Sequence, residues 1–172
     1  MFSDPASNLS KLQIANSMKV VDIGAGSGFY TIVAAKMVGV SGRVYAVDVQ
    51  KDLLDRLRSM GQSQGLNNIE IVWGDAEKIG GTKLREGLAD RVIVSNILFQ
   101  VENADDLALE VKRITKIGGK VLIVDWSENS SLGPKVIFPE SKALMLFEKH
   151  GFVLDSTFNA GDHHYGLIIK RI

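Results

Sequence analysis

Val20-Val21-Asp22-Ile23-Gly24-Ala25-Gly26-Ser27-Gly28 joins a strand-length apolar run to a cluster of glycines. Met18 to Ile23 is apolar apart from Lys19 and Asp22, as suits a strand buried on both faces. Three glycines at alternate positions follow it. Phe29 to Val38, rich in alanine and closed by Gly39, then reads as a helix. In a strand-loop-helix setting, glycines let the backbone approach a ligand and adopt positive φ angles. The spacing is G-x-G-x-G. The dinucleotide fingerprint G-x-G-x-x-G would need a glycine where Phe29 stands, and no Gly-Lys-Ser/Thr follows to make a phosphate-binding loop. A bulky residue there fits a ligand with no pyrophosphate to seat at the helix N-terminus.

Working outward, strand-length apolar runs alternate with helix-period segments, the mark of an α/β protein with a mainly parallel sheet. Arg43 to Val49, Asn68 to Trp73, Asp90 to Asn96 and Lys120 to Trp126 are the next expected strands. Asp52 to Met60, Asp105 to Lys116 and Pro139 to His150 are the expected helices, the second stopped by Gly118-Gly119. Ser127 to Gly133 reads as a polar loop. Phe152 to Phe158 and His164 to Lys170 are separated by only Asn159-Ala160-Gly161-Asp162, too short for a crossover helix. They are therefore an antiparallel hairpin. The expected architecture is five strands joined by helical crossovers, a further helix and the terminal hairpin, with residues 1–172 forming one domain. Asp48 ends the second strand about twenty residues after the glycine loop, the separation of a ribose-binding acid. Each feature also has a plainer reading: the loop as a turn, Asp48 as a helix N-cap. The following helix starts near Lys51 or Asp52, which fits a cap at Asp48 poorly.

Bulk properties narrow the function. The 172 residues suffice for a sizeable core, with 45 % hydrophobic and 23 % charged residues. Twenty basic residues balance 20 acidic ones, so no long-range field attracts nucleic acid or an acidic membrane. With no cysteine, disulfides, thiolate catalysis and Cys-ligated zinc are excluded. The expectation is a cytoplasmic protein with no membrane span and no metal site.

The combination of stretches resembles the class I S-adenosylmethionine-dependent methyltransferases. Val20 to Gly28 is similar to their first motif, Tyr45 to Val49 to the second, and Trp73-Gly74-Asp75-Ala76 to the third. Asp90 to Asn96 is similar to the fourth, and Ile114 to Ile123 to the stretch that follows. The nearest flavour is the ubiquinone and menaquinone biosynthesis type. The resemblance implies a Rossmann-like three-layer α/β sandwich with a seven-stranded, mainly parallel sheet in the order 3-2-1-4-5-7-6, S-adenosyl-L-methionine as cofactor and a role for each matching position. Gly24, Ala25, Gly26 and Gly28 would bring backbone against the methionyl and ribose parts, and Asp22 would reach the amino group. Tyr30 would flank the carboxylate. Asp48 would hold the ribose hydroxyls and Val49 the adenine face. Gly74, Asp75 and Ala76 would meet the adenine edge, with Asp75 accepting from its amino group. Asn96 would sit beside the methionyl group.

A sulfonium is already an activated leaving group, so transfer needs mainly in-line orientation and desolvation of the acceptor. Should the acceptor have to lose a proton, the candidates for helping are Asn96 and His164, with His163, Asp125 and Trp126 at the same sheet edge. Met1 to Ser17 offers one short covering segment, with Phe2 or Leu12 touching the site. So open a site suggests a large acceptor, a partner subunit or a homo-oligomer. The alternatives are a non-catalytic adenosylmethionine-binding subunit and, with less in its favour, an NAD-dependent oxidoreductase.

Overall fold

A computed structural model of the chain describes residues 3–128, 130 and 132–172. The helices are α1 (Pro5–Lys11), α2 (Phe29–Val38), α3 (Lys51–Ser63), α4 (Ala104–Ile114) and α5 (Glu140–Lys149). The strands are β1 (Lys19–Ile23), β2 (Arg43–Asp48), β3 (Ile69–Trp73), β4 (Ala89–Ser95), β5 (Thr115–Trp126), β6 (Phe152–Asn159) and β7 (His164–Arg171). They form one seven-stranded sheet in the order β3-β2-β1-β4-β5-β7-β6. β1 to β5 run parallel, and β7 is antiparallel to both β5 and β6. The chain moves from β1 outward to β2 and β3, then returns to lay β4 on β1's other side. This reversal opens a crevice at the carboxyl ends of β1 and β4, where ligands bind in open α/β sheets.

Two apolar layers clamp the sheet. On one face Leu107, Val111 and Ile114 of α4 and Ala143 and Phe147 of α5 pack on Val92, Val94, Val121 and Ile123. Phe147 meets Phe152 edge-on, with ring centroids 5.6 Å apart, a preferred aromatic geometry. On the other face Leu9 and Leu12, in and just after α1, and Ala34, Ala35 and Val38 of α2 cover Val20, Ile93, Leu122 and Val124. Leu57 of α3 completes that layer against Ala46.

Local chemistry sets the element ends. Asp4 caps α1 by accepting from the Ala6 and Ser7 amides, with Pro5 in the first turn. Asn103 caps α4 through the Asp106 amide. The main departure from the sequence expectation is that α4 ends at Ile114, not Lys116. Thr115 turns extended, its hydroxyl donates to the Val111 carbonyl at 2.6 Å, and it pairs with Ala89 across an irregular register. The Val111 carbonyl thus accepts from both the amide and the hydroxyl of Thr115, and a β-branched residue so tied can end the helix without glycine. Gly118 and Gly119 therefore lie inside β5. The expected loop Ser127 to Gly133 includes Asn129 and Ser131, which lie outside the described residues. Among the described residues no helix is long and apolar enough to cross a membrane.

Candidate functional site

A cavity of about 740 Å³ occupies the crevice, within the range of small-molecule sites. The glycine loop forms its floor. Gly24 and Ala25 both donate to the Val47 carbonyl, at 2.9 and 3.1 Å, which holds the end of β1 against β2. A Cβ on Gly24 would stand 2.4 Å from Ile97 Cγ2, so glycine is needed for packing as well as for its φ of +68°. At Gly26 (φ +52°) the nearest atom to an added Cβ is 3.9 Å away, so the left-handed backbone and not crowding calls for glycine there.

Asp48 closes the loop from β2. Its Oδ2 accepts from the Gly26 amide at 2.8 Å and its Oδ1 from the Gln50 amide at 2.8 Å. A carboxylate has about four acceptor sites, so each oxygen keeps one toward the cavity. Asp22 is buried beneath the loop and accepts from the Thr31 hydroxyl at 2.6 Å. Burial pushes its carboxyl up to about 7; the Thr31 bond opposes this, and the Asp48 charge adds to it. A cationic group placed beside it would favour the ionised form.

The adenine-facing stretch expected after β3 is also at the cavity, which Gly74, Asp75 and Ala76 line beside Val49. Val49 is 58 % exposed, an apolar surface without a protein partner over much of its area. Asp75 Oδ1 accepts from the Glu77 amide at 3.0 Å and Oδ2 pairs with Lys78 at 2.9 Å. The Lys78 bond leads the causes that hold its carboxyl below the ordinary range.

At the end of β4, Asn96 takes a left-handed φ of +56°, which asparagine tolerates better than most residues. Ser95 and Asn96 line the cavity, and just behind its surface Ser95 Oγ and Asn96 Oδ1 are buried with no hydrogen-bond partner among the described residues, which is uncommon for buried polar atoms. Tyr30 lines the opposite wall. Its hydroxyl accepts from Asn8 Nδ2 at 2.8 Å and lies 3.2 Å from Ser3 Oγ. Asn8 also donates to Ser3 Oγ at 2.8 Å, so α1 is tied to the cavity wall.

Gly28, His164, His163, Asp125, Trp126 and Leu12 are expected at the site but are not in the lining. Gly28 (φ +85°) starts α2, and a Cβ there would stand 2.1 Å from Leu57 Cδ1. Its glycine serves the packing of α2 on α3. His164 is buried beside Trp126, ring centroids 4.4 Å apart, away from the cavity. Burial, then the neighbouring His163, holds its imidazole below the ordinary range. Asp125 is likewise spent on backbone, accepting from the Leu98 and Trp126 amides. Leu12 packs in the core, not on the cavity, and Phe2 lies outside the described residues. The lining also includes Ser3, Pro5, Ser95 and Gln100, which the motifs did not single out. Only Asp4-Pro5, a helix-start signal, hinted at the covering helix.

Residues 14–155 match the family model of a methyltransferase domain. The chain belongs to the class I S-adenosylmethionine-dependent methyltransferases. A methyltransferase-family protein of Saccharolobus solfataricus described as a probable cobalt-precorrin-6B C(15)-methyltransferase (decarboxylating) is 33 % identical over 146 residues, covering 84 % of this chain and 66 % of that one. A demethylmenaquinone methyltransferase of Geobacillus is 25 % identical over 130 residues, covering 76 % and 54 %. The chain thus spans just under two thirds of the first relative's length and about half of the second's. The crystal structure of an S-adenosylmethionine-dependent methyltransferase from Aquifex aeolicus superposes with a TM-score of 0.90 at 26 % identity, covering 99 % of this chain and 91 % of that one.

The family's cofactor is S-adenosylmethionine, and the residues present fit it. Asp48 retains acceptor sites for hydroxyls, Asp22 sits where a cation would relieve its burial, and Ser95 and Asn96 keep unpartnered polar atoms just behind the cavity surface.

Proposed function

We propose that the chain transfers the methyl group of S-adenosylmethionine to an acceptor by direct in-line displacement. The observation that carries this reading is Asp48 bonded at once to the Gly26 amide and the α3 turn, with acceptor sites left over the crevice. On this reading Asp48 holds the ribose hydroxyls and Val49 packs on the adenine. Asp75 accepts from the adenine amino group, and the Ala76 amide donates to the ring. Gly74 lies beside the adenine edge, its missing side chain serving the close approach of the Gly81 carbonyl. Gly24, Ala25 and Gly26 bring backbone against the methionyl and ribose parts. Asp22 binds the amino group, Tyr30 flanks the carboxylate, and Asn96 lies beside the methionyl chain.

When bound, S-adenosylmethionine supplies a methyl group already activated on a sulfonium. What the protein adds is orientation and exclusion of water, which can contribute on the order of 7–11 kcal/mol when geometry is good. Asn96 carries a neutral amide, so it orients groups and takes no proton. The two relatives name different acceptors, cobalt-precorrin-6B and demethylmenaquinone, and neither is assigned to this chain. The described cover is the seven-residue α1, and we take the open flank to be completed by a large acceptor, a partner subunit or a second copy. A cytoplasmic location belongs to the same reading, supported by the ordinary composition and balanced charge.

The test is methyl transfer from donor labelled in the methyl group to a panel of acceptor classes, with Asp48→Ala as control. Label transferred by the wild type and lost in the variant supports the reading. Binding without transfer to any acceptor supports instead the non-catalytic alternative.

A further inference from the structure

We infer that Glu110 of α4, which does not touch the cavity, is a positioning residue that sets adenine specificity by fixing the Asp75-Ala76 turn. The inference rests on the adenosine reading of the cavity given above. Glu110 is fully buried, yet its carboxylate is surrounded by donors. Oε2 accepts from the Gly80 amide at 2.7 Å and from Arg113 Nε at 2.7 Å. Oε1 accepts from the Thr82 amide at 3.2 Å, from Arg113 Nη2 at 2.7 Å and, at a shorter distance, from the Thr82 hydroxyl. Burial pushes this carboxyl up, but the bonds from Arg113, Thr82 and Gly80 outweigh it and leave it below the ordinary range.

The turn so gripped, Gly80-Gly81-Thr82, is in backbone contact with the adenine-facing stretch. The Asp75 amide donates to the Gly81 carbonyl at 3.1 Å, and the Gly81 amide donates to Lys78 O at 2.8 Å. A Cβ on Gly81 would stand 2.0 Å from the Asp75 carbonyl oxygen, and one on Gly74 would stand 2.6 Å from the Gly81 carbonyl oxygen. The two backbones therefore touch with no side chain between them, and a shift of one moves the other. A second carboxylate ties the same stretch to the start of α4: Glu77 Oε2 accepts from the Glu102 and Asn103 amides, at 2.7 and 2.8 Å. Helix α4 and the two residues before it thus anchor the chain just after Asp75-Ala76 at two points, Glu77 and Gly80–Thr82, while Asp75 and Ala76 line the cavity and Glu110 does not.

A role confined to satisfying Arg113 would act on stability and on all ligands alike. A positioning role acts on the adenine edge alone. The distinguishing probes are S-adenosylhomocysteine and S-inosylhomocysteine, in which a carbonyl replaces the adenine amino group and inverts the hydrogen-bonding edge. Calorimetry on the full chain should show wild-type preference for the adenosyl ligand. In Glu110→Gln an amide donor faces the Gly80 or Thr82 amide. The preference should fall about fivefold, the size of about one lost hydrogen bond, while the inosyl affinity stays within about twofold. Thr82→Val removes only the hydroxyl and keeps the Glu110–Arg113 pair. It should shift the preference in the same direction by less, and it decides the matter if Glu110→Gln does not fold. Unchanged preference in the folded variant, or equal weakening of both ligands, overturns the inference. A wild type that binds neither ligand, or shows no preference, instead overturns the adenosine reading and this inference with it.

Discussion

Asp48 and Asp22 lie on neighbouring strands and do different work. Asp48 spends one lone pair of each oxygen on the protein and keeps the others for the cavity. Asp48→Ala should weaken S-adenosylmethionine binding by about 1–3 kcal/mol, about 5- to 150-fold, read by calorimetric titration of the folded variant. Unchanged affinity would remove Asp48 from the ribose site. Asp22 has its carboxyl raised to about 7 by burial. Below that pH the unliganded site holds a neutral acid, which attracts an ammonium group weakly. Affinity should therefore rise with pH through about 7 and level off above it, and Asp22→Asn should abolish the step. A wild-type affinity that is flat from pH 6 to 8 would show that Asp22 does not meet the amino group.

The elements around the cavity separate ligand contact from packing. Gly26 and Gly28 belong to one sequence motif, yet only Gly26 lines the cavity. Gly28→Ala places a Cβ against Leu57 at a φ of +85°, and should cost about 1–3 kcal/mol of stability in urea unfolding, with affinity little changed in the folded fraction. Gly26→Ala meets no crowding and should instead lower affinity, because the loop must leave its left-handed backbone or put a methyl group toward the ligand. The opposite pattern would contradict the placement of these two glycines. The same contrast shows what was legible in the sequence. The strands, the glycine loop and Asp48 are legible because their signals are local: apolar period, glycine spacing, an acid at a strand end; the strand order and the Gly74-Asp75-Ala76 stretch are legible only through the family resemblance. The Asn8–Tyr30 bond joins residues 22 positions apart, and the Glu110 carboxylate reaches back 28 to Thr82. Neither leaves a periodic or motif signal. The end of α4 was misread because Gly118-Gly119 is a strong stop signal, whereas the stop is Thr115 turning extended to pair with Ala89.

For the whole molecule, the buried acids set how stability varies with pH. Burial raises Asp22 to about 7 and Asp125 to about 6, the latter only partly offset by backbone amides led by that of Trp126. Groups raised in the folded state bind protons that the unfolded chain does not, so their contribution is full below the ordinary value of 3.8 and is lost progressively as pH rises from there through about 6 for Asp125 and about 7 for Asp22. Glu110 and Asp90 are shifted the other way: bonds from Arg113 and from Lys116, respectively, overcome the effect of burial, and their stabilisation is lost as pH falls below the ordinary carboxylate range. Unliganded protein should therefore be most stable near about pH 4 to 5, and urea midpoints should decline from there to about pH 7 and level off above it. Saturating cofactor should flatten that decline by keeping Asp22 ionised in the complex. A midpoint that rises steadily to pH 8 without ligand would contradict this balance of acids.

The ligand of the crevice between β1 and β4 decides the function, and calorimetric titration of the purified chain at pH 8 with S-adenosylmethionine, and separately with NADH, identifies it. One S-adenosylmethionine site per chain, weakened in Asp48→Ala, with no heat from NADH, is the predicted result. No S-adenosylmethionine binding at about 1 mM, or tight binding of NADH in its place, would contradict it.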